Sequence, residues 1–216
     1  KLWNAILSCA RAFGDAEQNW KDHNKDLQDR CAYLNSLGLD QLKYKSKNGT
    51  DFTVGLIPNA LFLGGCEKVM DKDVIYNPNI PSEEIFITPM RGRAEGIVYS
   101  TKPLAFQGNL IDNFSIRFED GKAVEVHAEK NEELLQKMIS FDEGAAYLGE
   151  CALVPYTSPI NETGILFYNT LFDENAVCHL AVGRGFNDTI RGYHEKTNEE
   201  CKALGVNDSM IHVDFM

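Results

Sequence analysis

The stretch "NFSIRFEDGKAVEVHAE", residues Asn113–Glu129, decides the fold class. Apolar and polar residues alternate on both sides of Asp120-Gly121, which is the period of a strand and not of a helix. An Asp-Gly pair between two such runs is the signature of a tight hairpin turn. Upstream, "GIVYSTKPLAF" (Gly96–Phe106) alternates in the same way, so the chain from Gly96 to Ala128 reads as consecutive antiparallel strands.

Working outward, "LKYKSKNGTDFTVGL" (Leu42–Leu56) alternates about Asn48-Gly49 and predicts a second hairpin. "NALFLGG" (Asn59–Gly65) predicts a further short strand, and the proline-rich "YNPNIPSEEIFITP" (Tyr76–Pro89) an extended segment. Helical spacing recurs at Leu2, Trp3, Ile6, Leu7, Ala10 and Phe13, then in a second helix capped by Asp15 and running to about Leu37. In that helix Trp20, Leu27, Cys31 and Leu34 form the expected buried stripe, and His23 is expected at the surface. "NEELLQKMIS" (Asn131–Ser140) and a short helix capped by Thr197 complete the helical set, and "MIHVDFM" (Met210–Met216) reads as a strand. The expectation is α+β: a single domain over residues 1–216, with a largely antiparallel β-sheet and flanking helices.

Composition narrows the function classes. The formal net charge of −11 repels a phosphate backbone, so no nucleic-acid partner is expected. No apolar run approaches the ~20 residues that cross a bilayer, so no membrane partner is expected either. Six cysteines stand at 9, 31, 66, 151, 178 and 201 with no CxxC pair. They read as reduced thiols of a cytoplasmic protein. The opening "KLWNAILSCARAF" and the ending inside an alternating segment read as a piece of a longer protein.

The informative residues are charged or ionisable ones in apolar surroundings, because burying a charge is costly unless it is paired or metal-bound. Glu83-Glu84 precede "IFI", Glu150 sits between "AAYLG" and "CALVP", and His179 lies in "AVCHLAVG". In the last strand His212 and Asp214, two apart, share a face opposite Val213 and Phe215. Imidazoles and carboxylates are ligand types for divalent metals, but with their long, irregular spacing a satisfied structural role is the better reading of each residue taken singly.

Longer motifs carry more weight. "NIPSEEIF", "STKPLAFQGNLIDNF", "EGAAYLGECALVP", "GILFYNTLFDENAVCHLAVGR" and "LGVNDSMIHVDFM" occur in the order found in the M29 metallo-aminopeptidases, the thermophilic-aminopeptidase family, and the chain resembles that family throughout. The resemblance implies the metal-site, catalytic domain of a two-domain protein that is active as a homodimer. It implies two divalent metal ions (zinc, cobalt or manganese) held by Glu84, Glu150, His179, His212 and Asp214. It also implies hydrolysis of N-terminal residues from peptides by hydroxide generated at the paired metals, with Glu150 as ligand or catalytic base.

Two positions depart from the family pattern. Phe186 in "GRGFNDT" stands where the family has a tyrosine, and Met90 in "ITPMRGR" replaces a polar side chain. A phenyl ring can neither ligate nor donate a hydrogen bond. Two other readings fit parts of the same set. His179, His212 and Asp214 alone would suit the single iron of a ring-cleaving non-haem dioxygenase. A catalytically inactive domain fragment is the third reading.

Overall fold

The computed structural model describes residues 1–69 and 72–216. Along the chain, helices α1 (Leu2–Cys9) and α2 (Ala16–Ser36) precede strands β1 (Gln41–Lys45) and β2 (Asp51–Leu56). Short strands β3 (Glu67–Lys68), β4 (Ile75–Tyr76) and β5 (Ile85–Ile87) lead to β6 (Pro89–Tyr99), β7 (Leu104–Phe106), β8 (Asn109–Glu119) and β9 (Lys122–Lys130). Then follow α3 (Glu132–Ile139), β10 (Leu148–Leu153), α4 (Pro159–Thr163) and α5 (Thr170–Glu174). Last come β11 (His179–Gly183), α6 (Asn198–Ala203) and β12 (His212–Phe215). The α+β class and the antiparallel character hold. The contacts gather into two compact units that interleave in sequence.

The second unit comprises Gly38–Leu61, Ile87–Cys151 and His179–Met216. Its larger sheet follows directly from the hairpin signals. Asp120 and Gly121 both take left-handed φ, 49° and 81°, and turn β8 back onto β9 with Glu119 opposite Lys122. That conformation is the tight turn an Asp-Gly pair favours. The sheet runs β1-β2-β6-β8-β7, with β9 on the other edge of β8, and every pairing in it is antiparallel. One register shift between Arg117 and Phe118 moves Ala123 inward and leaves Val124 exposed, which strict alternation does not foresee. Phe52, Phe114, Ile116 and Phe118 are buried on this sheet. The Phe52 and Phe118 rings meet at 5.4 Å between centroids. Each such ring contributes roughly 1.5–3 kcal/mol by leaving water.

In the smaller sheet β11 lies between β12 and β10 and pairs antiparallel with β12, Ala181 opposite Asp214 and Gly183 opposite His212. Val213 and Phe215 are buried while His212 and Asp214 are half-buried, so the predicted alternation of the last strand is realised.

The first unit comprises Lys1–Leu37, Phe62–Phe86 and Ala152–Cys178. Asp15 caps α2 by accepting from the Gln18 N–H at 3.1 Å, as its sequence position predicts. Two expectations fail here. The first helix stops at Cys9, and Leu2 and Trp3 of its apolar stripe are exposed, while Cys9 packs with Ile160 and Ala176. His23 is buried, not at the surface: its Nε2 donates to the Ser82 carbonyl at 2.6 Å. Burial pushes its pKa below the ordinary histidine value, so the neutral ring is the stable form. The strand predicted at Asn59–Gly65 is also absent. Only single bridges form there, Ala60 with Ile190 in the second unit and Leu63 with Phe86 in the first.

Candidate metal centre

The second unit contributes four of the five expected ligands, and they meet at Glu150. That residue lies in β10 with its carboxylate buried, 4% exposed. Ligand atoms of Glu150, His212 and Asp214 all lie within 4.8 Å of one another, and a His179 ring nitrogen lies within the same distance of a Glu150 oxygen. His179 opens β11 and is likewise buried. Glu84 belongs to the first unit. It is buried at the mouth of β5, in a segment held by the Asn175 side chain, whose Oδ1 accepts the Glu83 N–H at 2.7 Å.

Hydrogen bonds fix how His212 is presented. Its Nδ1 lies 2.7 Å from the Arg184 carbonyl, which can only accept, so Nδ1 carries the proton. Nε2 is thereby aimed at Glu150 Oε2 (3.1 Å) and Asp214 Oδ1 (3.3 Å). Burial alone would lower this imidazole. Hydrogen bonds and charge from Asp214 and Glu150 outweigh it and hold the pKa up at about 11. The two carboxylates therefore favour positive charge at the Nε2 side of the ring. Two carboxylates with a pre-oriented imidazole are donor types that suit a divalent metal ion, with the Arg184 carbonyl as the outer hydrogen bond that orients the ring. The residues fit a divalent metal.

Sequence reasoning missed several supports of this arrangement. Gly183 has φ +100°, and a Cβ there would stand 2.1 Å from the Ile211 carbonyl oxygen. Gly149 is equally confined, since its Cβ would stand 2.2 Å from the Arg184 oxygen. Isolated glycines inside the strand patterns "YLGE" and "AVGRG" were the signal for these close approaches. Thr88, fully buried, accepts the Phe186 N–H at 2.8 Å. The Phe186 ring sits 4.8 Å from that of His212, an apolar wall on the imidazole. Met90 packs against the small apolar cluster of Ile57, Ile190, Cys201 and Val206.

Other charged residues within the "NIPSEEIF" and "ITPMRGR" stretches are committed elsewhere. Glu83 forms a bidentate ion pair with Arg11, one contact at 2.9 Å. Arg91 stacks on Tyr147 and pairs with Glu143, and Arg93 pairs with Asp40.

Asp142 anchors the approach to β12. It accepts from the N–H groups of Gly144, Ala145 and Met210 and from the Ser209 hydroxyl, at 2.7–3.0 Å. These donors, led by Met210, hold its carboxyl below the usual range. Because the folded pKa lies below the unfolded one, this contribution is complete above about pH 4 and is lost as pH falls through the folded value. Asp142→Ala is expected to cost about 1–3 kcal/mol near neutrality. Denaturant unfolding at pH 7 and pH 3 checks it: the gap between variant and parent should shrink at pH 3, and an equal gap at both would exclude the charged bonds as its source.

A buried carboxylate with two imidazoles and a second carboxylate close by is a candidate divalent-cation centre of the nitrogen–oxygen class. The chain belongs to the thermophilic metalloprotease (M29) family, whose model matches residues 1–216. Aminopeptidase T of Thermus aquaticus is 44% identical over 217 residues, covering 100% of this chain and 52% of that protein. Aminopeptidase AmpS of Bacillus subtilis (strain 168) is 42% identical over 216 residues, with the same two coverages. The chain thus spans about half the length of the curated relatives it matches. The solved structure of wild-type AmpT from Thermus thermophilus superposes with TM-score 0.83 at 43% identity, over 92% of this chain and 48% of that one. A 2,5-dihydroxypyridine dioxygenase from Pseudomonas putida KT2440 also resembles it, with TM-score 0.55 at 17% identity over 89% of this chain and 53% of that one. At that identity the likeness concerns the fold alone.

Proposed function

We propose that residues 1–216 form the catalytic domain of a metal-dependent aminopeptidase, which removes N-terminal residues from peptides. The observation that carries this reading is the Glu150–His212–Asp214 cluster, with His179 beside it, in a chain of the M29 family. We assign Glu150, His179, His212 and Asp214 as ligands of two divalent ions (zinc, cobalt or manganese). Glu84 is the fifth, on the strength of its place in the "PSEE" motif. When bound, such ions supply Lewis acidity, activating water near neutral pH and polarising the scissile carbonyl.

The chain's own residues do the rest. The Arg184 carbonyl keeps the His212 proton on Nδ1, so Nε2 offers its lone pair to the centre. Glu150 and Asp214 supply the negative charge that favours cations there. Glu150, between the two imidazoles, is the group placed to take a proton from water and pass it to the leaving amine. Glu83 cannot share that task while Arg11 holds both of its oxygens.

All six cysteines are free, which supports a reducing, cytoplasmic setting. No helix among the described residues is long and apolar enough to cross a membrane. Exposed Leu2, Trp3 and Tyr156 support a homodimer in the full-length protein.

The test is metal content per chain after dialysis, with leucine-anilide hydrolysis followed in the same sample before and after chelation. About two zinc, cobalt or manganese ions, with activity lost on chelation and restored by metal, is the expected result. A single iron with oxygen uptake, or no metal and no hydrolysis, would overturn it.

A further inference from the structure

Glu84, the fifth of the assigned ligands, stands on a segment that three separate elements of the first unit hold by polar groups. From α2, His23 Nε2 donates to the Ser82 carbonyl at 2.6 Å. From the turn after α1, Arg11 donates to both carboxylate oxygens of Glu83, one of them at 2.9 Å. From the end of α5, Asn175 Oδ1 accepts the Glu83 N–H at 2.7 Å. Ser82, Glu83 and Asn175 are all buried. The two residues before Glu84 are thus fixed at a carbonyl, an amide and a carboxylate.

Two of the holders are themselves held. Arg11 has a left-handed φ of 51°, which a residue with a side chain adopts only under strain. The Asn19 side chain secures that turn, donating to the Arg11 and Phe13 carbonyls at 3.2 and 2.8 Å. The Arg11 guanidinium lies over the Trp20 ring, 5.9 Å from its centroid, within reach of a cation–π contact. Asn175 Nδ2 donates to the Leu171 carbonyl at 3.0 Å, which leaves Oδ1 as the end turned to Glu83.

Stability does not account for the charges. Taking a guanidinium and a carboxylate out of water costs about as much as their attraction returns, and apolar pairs often replace them without loss. What a forked guanidinium does supply is direction, because it meets a carboxylate at two points in one plane. A strained backbone, a buried ion pair and two buried hydrogen bonds converge on the residues just before Glu84. We infer that Arg11, His23 and Asn175 are positioning residues for Glu84, clamping Ser82 and Glu83 so that its carboxylate is presented in one orientation. The inference rests on the reading of Glu84 as a metal ligand.

The test compares the intact chain with the double variant Arg11→Met/Glu83→Met, which exchanges the ion pair for apolar side chains. Zinc affinity is read by competition with a chelator, and stability by denaturant unfolding of the metal-free chains. The double variant should bind zinc at least ten-fold more weakly, the loss expected when a group that orients a ligand from behind is removed. Its unfolding midpoint should be no lower than the parent's. A second pair of variants isolates the hydrogen bond to Ser82. His23→Leu has no donor and should also lose at least ten-fold in zinc affinity, while His23→Gln, whose amide can donate to the same carbonyl, should match the parent. Unaltered zinc affinity in the double variant or in His23→Leu would overturn the clamp. So would a metal-free double variant that unfolds far more readily than the parent, which marks a merely structural role. A parent chain that binds no zinc would instead remove the reading of Glu84 as a ligand, and the inference with it.

Discussion

Glu150→Gln is expected to lower leucine-anilide turnover by roughly 10²–10⁴-fold, the range over which a positioned acid–base group contributes. The substitution preserves shape and burial and removes only the charge and the basic oxygen pair. The carboxylate lies 3.1 Å from His212 Nε2 and within 4.8 Å of a His179 nitrogen, so it serves both imidazoles. Losing its charge therefore weakens cation binding as well as proton transfer. Metal content per chain should fall together with turnover, while circular dichroism stays unchanged. His179→Ala should give the same pair of losses. If Glu150→Gln retained its metal and lost only turnover, Glu150 would be a base and not a ligand. If it stayed fully active, the centre would lie elsewhere.

How much of this was written in the sequence depends on how local the determining physics is. The two hairpins were legible because Asn48-Gly49 and Asp120-Gly121 specify turns within a few residues. Thr197 and Glu200 form a reciprocal cap over the same short span, so α6 was legible too. The burial of His23 was not, because the group that satisfies it, the Ser82 carbonyl, lies 59 residues away. Its neighbours Asp22 and Lys25 made that face look solvated. The same distinction divides the site. His212 and Asp214 could be placed on one strand face from a two-residue period. The Arg184 carbonyl, which decides the tautomer of His212, is a backbone atom, and no side-chain pattern reports it. That the four residues of the second unit meet at Glu150 follows from strand neighbours set by tertiary structure, which spacing along the chain does not encode.

Gly183→Ala is expected to destabilise the protein by roughly 2–6 kcal/mol and to disable the centre with it. Two costs combine. The added Cβ would lie 2.1 Å from the Ile211 carbonyl oxygen, a backbone atom that cannot rotate away, and overpacking of this kind costs typically 1–3 kcal/mol. The residue's φ of +100° adds backbone strain of order 1–3 kcal/mol for a side-chain-bearing residue. The clash falls where Gly183 stands opposite His212, and beside the Arg184 N–H bond to the Ile211 oxygen at 2.7 Å. Relief requires β12 to move away from β11, and that movement carries His212 away from the Arg184 carbonyl. Stability and metal affinity should therefore fall together, unlike in Glu150→Gln, where metal is lost from a fully stable fold. Val182→Ala, a buried truncation one residue earlier, is the control, since it removes packing without pushing β12 aside. A chain with Gly183→Ala that unfolded like the parent and kept its metal would show that the close approach of the two strands does not hold His212 in place.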